Sequence, residues 1–188
     1  MRILLTVLVL IFSFQLFVKA DEIKDYEIEG ISIGDSLLNH FTNSRVENSY
    51  KNTYPKSNKF VGVEIRLYNS EQYEFVQIHY DNNLTIHSVA GVEFLKNIKE
   101  CYSKQLKIKD ELKSFFKNYE IYEGTEVHRE DPSGKSSWRG VEFSLNTGDA
   151  LIHCTDWSKE FESKGYADSL RIEISTKKFS NFLRYEAY

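Results

Sequence analysis

Four sets of residues in this chain carry chemistry by type. Ser36 follows Asp35 at a glycine-marked turn, Gly34-Asp35-Ser36-Leu37. A serine there becomes a nucleophile only with an imidazole base in reach and donors for the oxyanion. Five histidines, His40, His79, His87, His128 and His153, could ligate a metal, but none recurs at the i, i+4 spacing of a helical ligand pair. If Asn82-Asn83 forms a two-residue hairpin turn, residue 79 pairs with 86 and 78 with 87, so His79 and His87 face opposite sides of a sheet; a three-residue turn would bring them together, but two ligands do not make a metal site. Gly134-Lys135-Ser136 has the last letters of a phosphate loop, but its leading glycine falls on Arg129. Cys101 and Cys154 are the two cysteines.

The serine block spells the signature of the GDSL esterases and lies near the expected mature N-terminus, as it does in that family. There the serine follows a buried parallel strand, and a late Asp-x-x-His completes the triad. Here no Asp-x-x-His follows Ser36; Asp149 and His153 are one residue too far apart and lie in an apparent strand. The segment before Gly34 is rich in glutamate, so a capped helix start is the better reading. Carboxylates are abundant, but no pair is set apart by an apolar neighbourhood, so no glycosidase-like dyad is singled out. No catalytic, cofactor or metal residue is assigned. Trp138, Trp157 and the many tyrosines suit the lining of a binding groove, although such residues more often fill cores and cap sheet edges. If a site exists, the loops Asp131–Ser137 and Trp157–Ala167 are where to look.

Where the chain goes is more legible. Arg2, the apolar run Ile3–Val18 and the small residues of Val18-Lys19-Ala20 form a secretory signal peptide, residues 1–20, with cleavage after Ala20. The remaining 168 residues (188 − 20) suit a single domain, 21–188. Loss of Arg2 and Lys19 takes the net charge from −4 to −6, which weighs against a nucleic-acid or anionic-membrane partner. No later segment resembles a membrane span. Two cysteines in an exported chain are most simply joined as a Cys101–Cys154 disulfide. Closing a loop of about 50 residues stabilises by about 4 kcal/mol in the chain-entropy description. Free buried thiols are the alternative; a redox role lacks a Cys-x-x-Cys.

The elements that would position these residues follow from periodicity. Apolar Ile98, Cys101, Ile108, Leu112 and Phe115 share one face of a helix over 97–118, capped by Asn97. Leu37, Leu38 and Phe41 mark a short helix, and Ser44-x-x-Glu47 begins another. The polar stretch 52–59, holding Pro55, reads as a loop. Alternating runs over 60–68, 73–81 and 84–94 form a meander, and further strands are expected at 119–128, 138–145, 150–156 and 169–175. Cys154 shares parity with Ile152 and so faces the helix layer. A last helix over 177–187 uses Phe179, Phe182 and Leu183. Strands arrive in hairpins rather than alternating with helices. The expected fold is therefore α+β, an antiparallel sheet of six to seven strands with one long helix and short helices on one face.

Three blocks carry a resemblance: Ile28-Glu29-Gly30-Ile31-Ser32-Ile33-Gly34-Asp35-Ser36-Leu37-Leu38, Asn97-Ile98-Lys99-Glu100-Cys101-Tyr102-Ser103-Lys104-Gln105, and Cys154-Thr155-Asp156-Trp157 with Asp168-Ser169-Leu170-Arg171-Ile172. Together they resemble small exported proteins of marine alphaproteobacteria of the Pelagibacter type. That resemblance implies a periplasmic setting and brings no catalytic residues. The layout is also similar to small periplasmic helix-and-sheet modules that bind other proteins, such as outer-membrane assembly factors. The expectation is an exported, non-catalytic binding domain stapled by one disulfide, with a periplasmic protein, a cell-envelope component or a small solute as partner. A hydrolase acting on exported substrates through Ser36 is the alternative.

Overall fold

A computed structural model of the chain describes residues 22–188. The segment 1–20 and its cleavage site lie outside the described residues. The N-terminal part holds two 3₁₀ turns, Ile23–Asp25 and Leu37–Asn39, and helix α1, Asn43–Glu47. Then follow β1 (Tyr50–Tyr54), β2 (Ser57–Arg66), β3 (Phe75–Asp81) and β4 (Ile86–Phe94). Helix α2 (Ile98–Phe115) leads into β5 (Glu120–Val127), β6 (Ser137–Ser144) and β7 (Gly148–Asp156). Helix α3 (Lys159–Glu162), β8 (Ser169–Thr176) and α4 (Lys177–Tyr185) complete it. Among the described residues no helix is long and apolar enough to cross a membrane.

All eight strands form one antiparallel sheet in the order β1-β2-β3-β4-β8-β7-β6-β5. Each half is a four-stranded meander entered from a helical segment, and the halves meet where the last strand of one, β4, pairs with the last strand of the other, β8. The fold class agrees with the sequence reading, but the strand count exceeds it by β1. That strand occupies part of the expected 52–59 loop. Pro55-Lys56 turns it into β2, with Tyr54 opposite Ser57. As an edge strand it buries no continuous face, so its sequence lacks the alternation that marks an inner strand.

One sheet face carries the main core. Val63, Ile65, Val76, Ile78, Val89, Ile152, Ile172 and Ile174 are buried there against α2 and the N-terminal segment. Asn97 caps α2 as expected, its Oδ1 accepting from Glu100 N at 3.2 Å. Cys101 lies over Cys154, Cα to Cα 5.8 Å, with the sulfurs at disulfide distance. The centre of the α2 stripe holds a residue the apolar pattern omitted. Gln105 is fully buried, and its Nε2 donates to Arg139 O at 2.8 Å and Ile152 O at 3.0 Å.

Helices are not confined to one face. The chain leaves β8, at the middle of the sheet, and α4 turns onto the opposite side. There Phe179 and Phe182 form a second core with Phe60 of β2. Thr176 caps α4 by accepting from Phe179 N at 3.2 Å. At the chain start, Thr42 rather than Ser44 caps α1, accepting from Arg45 N at 3.3 Å.

Candidate functional site

Where α4 stops covering it, the second sheet face opens into a cavity of about 740 Å³. Its floor is built from strand register. Phe75 on β3 pairs with Val92, Val92 with Arg171, and Arg171 with His153, giving one row of side chains across four strands. The next row runs Glu64, Gln77, Ala90, Glu173. A third places Phe94, Ser169 and Thr155 side by side. These residues alternate with the core positions along the same strands, so the pleat that buries one face presents them on the other.

The floor is polar and internally bonded. Arg171 donates from Nε and Nη2 to Glu173 Oε2 at 3.1 and 3.0 Å. Ser88 Oγ donates to Glu173 Oε1 at 2.6 Å. Burial raises the cost of the Glu173 charge, yet Arg171, His79 and Ser88 outweigh it and hold the carboxyl below the ordinary glutamate range. Glu64 Oε1 accepts from Gln77 Nε2 at 3.0 Å and Asn52 Nδ2 at 3.3 Å. His153 packs 5.7 Å from the Trp138 ring. Burial, and next the Arg171 charge, lower its pKa to about 4, so it is neutral at pH 7.

The wall comes from the loop between β7 and β8. Trp157 stacks on Phe161 of α3, 5.2 Å between centroids and 13° from parallel, and His128 and Tyr166 close on it at 4.2 and 4.6 Å. Gly165 reverses the chain at φ 95°, a conformation that favours glycine. Phe75 and Phe94, 5.9 Å apart, form the opposite wall.

Two aspartates hold the loops in place. Asp168 Oδ1 accepts from Trp157 N at 3.0 Å. Asp131 Oδ2 accepts from Ser136 N at 2.9 Å and Ser136 Oγ at 2.5 Å, and its Oδ1 from Ser133 N at 2.9 Å. Those Ser133 and Ser136 hydrogen bonds hold the Asp131 carboxyl well below the usual range. Ser158 N donates to Ser136 Oγ at 3.0 Å, joining the two loops. The Gly134-Lys135-Ser136 motif is thus a turn closed on Asp131, with its serine buried.

The other sequence candidates scatter. Trp157 lines the cavity, whereas Trp138 lies over Gly140 and borders a separate pocket of about 210 Å³. Ser36 precedes a 3₁₀ turn, and neighbouring Asp35 accepts from His40 Nε2 at 2.7 Å. Among the described residues Ser36 Oγ makes no hydrogen bond to an imidazole. His79 and His87 share the α4 face rather than opposing faces. The turn runs from Asp81 to Thr85 with Leu84, not an asparagine, at φ 62°. This shifts His79 opposite Ser88 and leaves His87 at the irregularity, where it packs against Phe60. Among the described residues no group of three or more His, Cys, Asp or Glu is placed to hold a metal ion.

What sequence reasoning missed is the set Glu64, Phe75, Arg171 and Glu173. Its one signal was the recurrence of charged and aromatic residues at the outward positions of inner strands. Such positions would be uniformly polar on a face open to solvent. Compared with protein-family models, curated proteins and solved structures, the chain matches none.

Proposed function

We propose that this chain is an exported, periplasmic binding domain, stapled by Cys101–Cys154, that takes its ligand in the cavity on the open sheet face. The carrying observation is a concave site with aromatic walls and a floor whose charged groups are already hydrogen-bonded in place. Such a floor costs little reorganisation on binding, which is what a binding site gains from rigidity. The bonding of Arg171, Ser88 and Glu173 is directed between floor residues, which supports binding over turnover. The resemblance to exported alphaproteobacterial proteins agrees with this setting.

A thermal-shift screen of the chain against a charge-sorted panel of solutes tests the reading. The expected result is a ligand-induced rise in melting temperature that is lost in Tyr166→Ala. Shifts retained in that variant would move the site elsewhere. Labelling by a fluorophosphonate probe that disappears in Ser36→Ala would replace binding with hydrolysis. Osmotic shock of an expressing Gram-negative host is expected to release a chain that begins at Asp21.

A further inference from the structure

The charges around the cavity do not balance, and the imbalance points to a ligand class. Its cationic groups are already engaged. Arg171 gives two donors to Glu173. Lys164 binds Glu160 Oε1 at 2.7 Å and holds its ammonium 4.6 Å from the Phe161 ring. His153 is uncharged at neutral pH. The carboxylates are not matched in the same way. Among the described residues neither Glu64 nor Glu130, both at the cavity, has a cationic partner. Both hydrogen bonds to Glu64 come from neutral amides and arrive on Oε1. They fix the plane of the carboxylate and, among the described residues, leave Oε2 without a hydrogen-bond partner.

Beside Glu64, one row along the neighbouring strand, stands Phe75, with Phe94 tilted against it. An oriented carboxylate next to aromatic faces suits a weakly hydrated organic cation. A small metal ion, which needs several oxygen ligands, is poorly served there.

Resting on the binding reading above, we infer that the cavity takes a small organic cation, an alkyl- or quaternary ammonium group. The cation sits at Glu64 Oε2 against Phe75 and Phe94, and its apolar stem lies toward Tyr166. A compound of choline size fits easily in about 740 Å³, leaving room for a longer substituent.

Three probes of one shape and three charges test this: choline, uncharged 3,3-dimethylbutan-1-ol and anionic 3,3-dimethylbutanoate. Each is titrated into the chain recovered after export, with amide chemical shifts as the readout. Choline is expected to saturate and to bind at least tenfold more tightly than the alcohol. Glu64→Gln, which keeps the side-chain shape and the amide bonds, should bring the two within about twofold. Phe94→Leu, at an exposed wall position, should weaken choline severalfold and leave the alcohol unchanged. Equal binding of choline and alcohol to the parent chain would overturn the cation assignment. So would preferred binding of the carboxylate that is lost in Arg171→Met; either result leaves the cavity as a binding site. A lysine-containing peptide that saturates where choline does not would overturn the small-molecule assignment. If none of these probes moves a cavity amide, the assignment falls; the thermal-shift screen then decides separately whether the cavity binds anything.

Discussion

The imidazole of His79 lies on the ring of Phe179, 4.6 Å between centroids and 26° from parallel. The contact joins β3 to α4, and it is made by a histidine that is only 7% exposed. Burial lowers its pKa to about 4, with Glu173 opposing the shift and Arg171 reinforcing it. In the unfolded chain the group titrates near 6.5. Between about pH 6.5 and 4 the unfolded state therefore binds the extra proton, and stability falls as pH falls. The contribution is complete above pH 6.5 and is on the order of 3 kcal/mol. Urea midpoints at pH 7, 5.5 and 4 are expected to drop in that order, and less steeply in His79→Leu. His153, lowered in the same direction, retains part of the slope in that variant.

Intact mass should rise by two hydrogens on reduction of Cys101–Cys154 under denaturing conditions. The bond closes a loop of 53 residues, and the double Cys→Ala variant is expected to lose about 4 kcal/mol in the loop-entropy description. A mass unchanged by reductant would dispose of the bond.

Gln105→Met keeps the side-chain length and removes both hydrogen bonds to Arg139 O and Ile152 O. Leaving buried backbone carbonyls short of a donor costs about 1–3 kcal/mol. Gln105→Glu should cost more, because it can place a charge beside those same carbonyls in a fully buried position. Chemical denaturation separates the two; equal stability of all three chains would refute the role.

Two glycines should respond oppositely to alanine. At Gly148 a Cβ would stand 2.2 Å from the Ser175 carbonyl oxygen and 2.5 Å from Ile23 Cγ2. The Ser175 carbonyl belongs to the strand paired with β7 and cannot move away without disturbing that pairing, so Gly148→Ala should destabilise the fold by about 1–3 kcal/mol of overpacking, seen as a clear fall in melting temperature. At Gly124 the added methyl meets nothing within 4 Å, and alanine should be neutral within about 0.5 kcal/mol.

Periodicity exposed the strands whose two faces differ. Val63 and Ile65 alternate with Glu64, and Ile172 and Ile174 with Arg171 and Glu173, so β2 and β8 were legible. So was α2, whose Cys101 and Leu112 fall on one face. β1 escaped because an edge strand in water has no apolar parity to display. The side taken by α4 escaped because Phe179 and Phe182 mark a buried stripe without naming the surface that buries it. The cavity was the least legible part. Its floor draws on Glu64, Phe75, His153 and Arg171, residues brought together only by a strand order that places β4 beside β8. Trp138 and Trp157 looked equivalent in sequence. Their separation depends on one lying along β6 and the other at the exit of β7.

That strand order also sets a timetable. Synthesis delivers β1 to β4 early, but the partner that covers the inner edge of β4 is the last strand, ending at Thr176. Until then the first meander presents Ser88 to Phe94 as an open edge. The second meander cannot pair with it, because among the described residues β8 supplies the strand pairing between the two halves. Joining the halves requires pairs far apart in sequence, from Phe94 with Ser169 to Ser88 with Ser175, and such non-local pairing slows folding. A chain lacking β8 would leave the facing edges of β4 and β7 unpaired and the cavity floor without Arg171 and Glu173, so one strand closes the sheet and completes the cavity together.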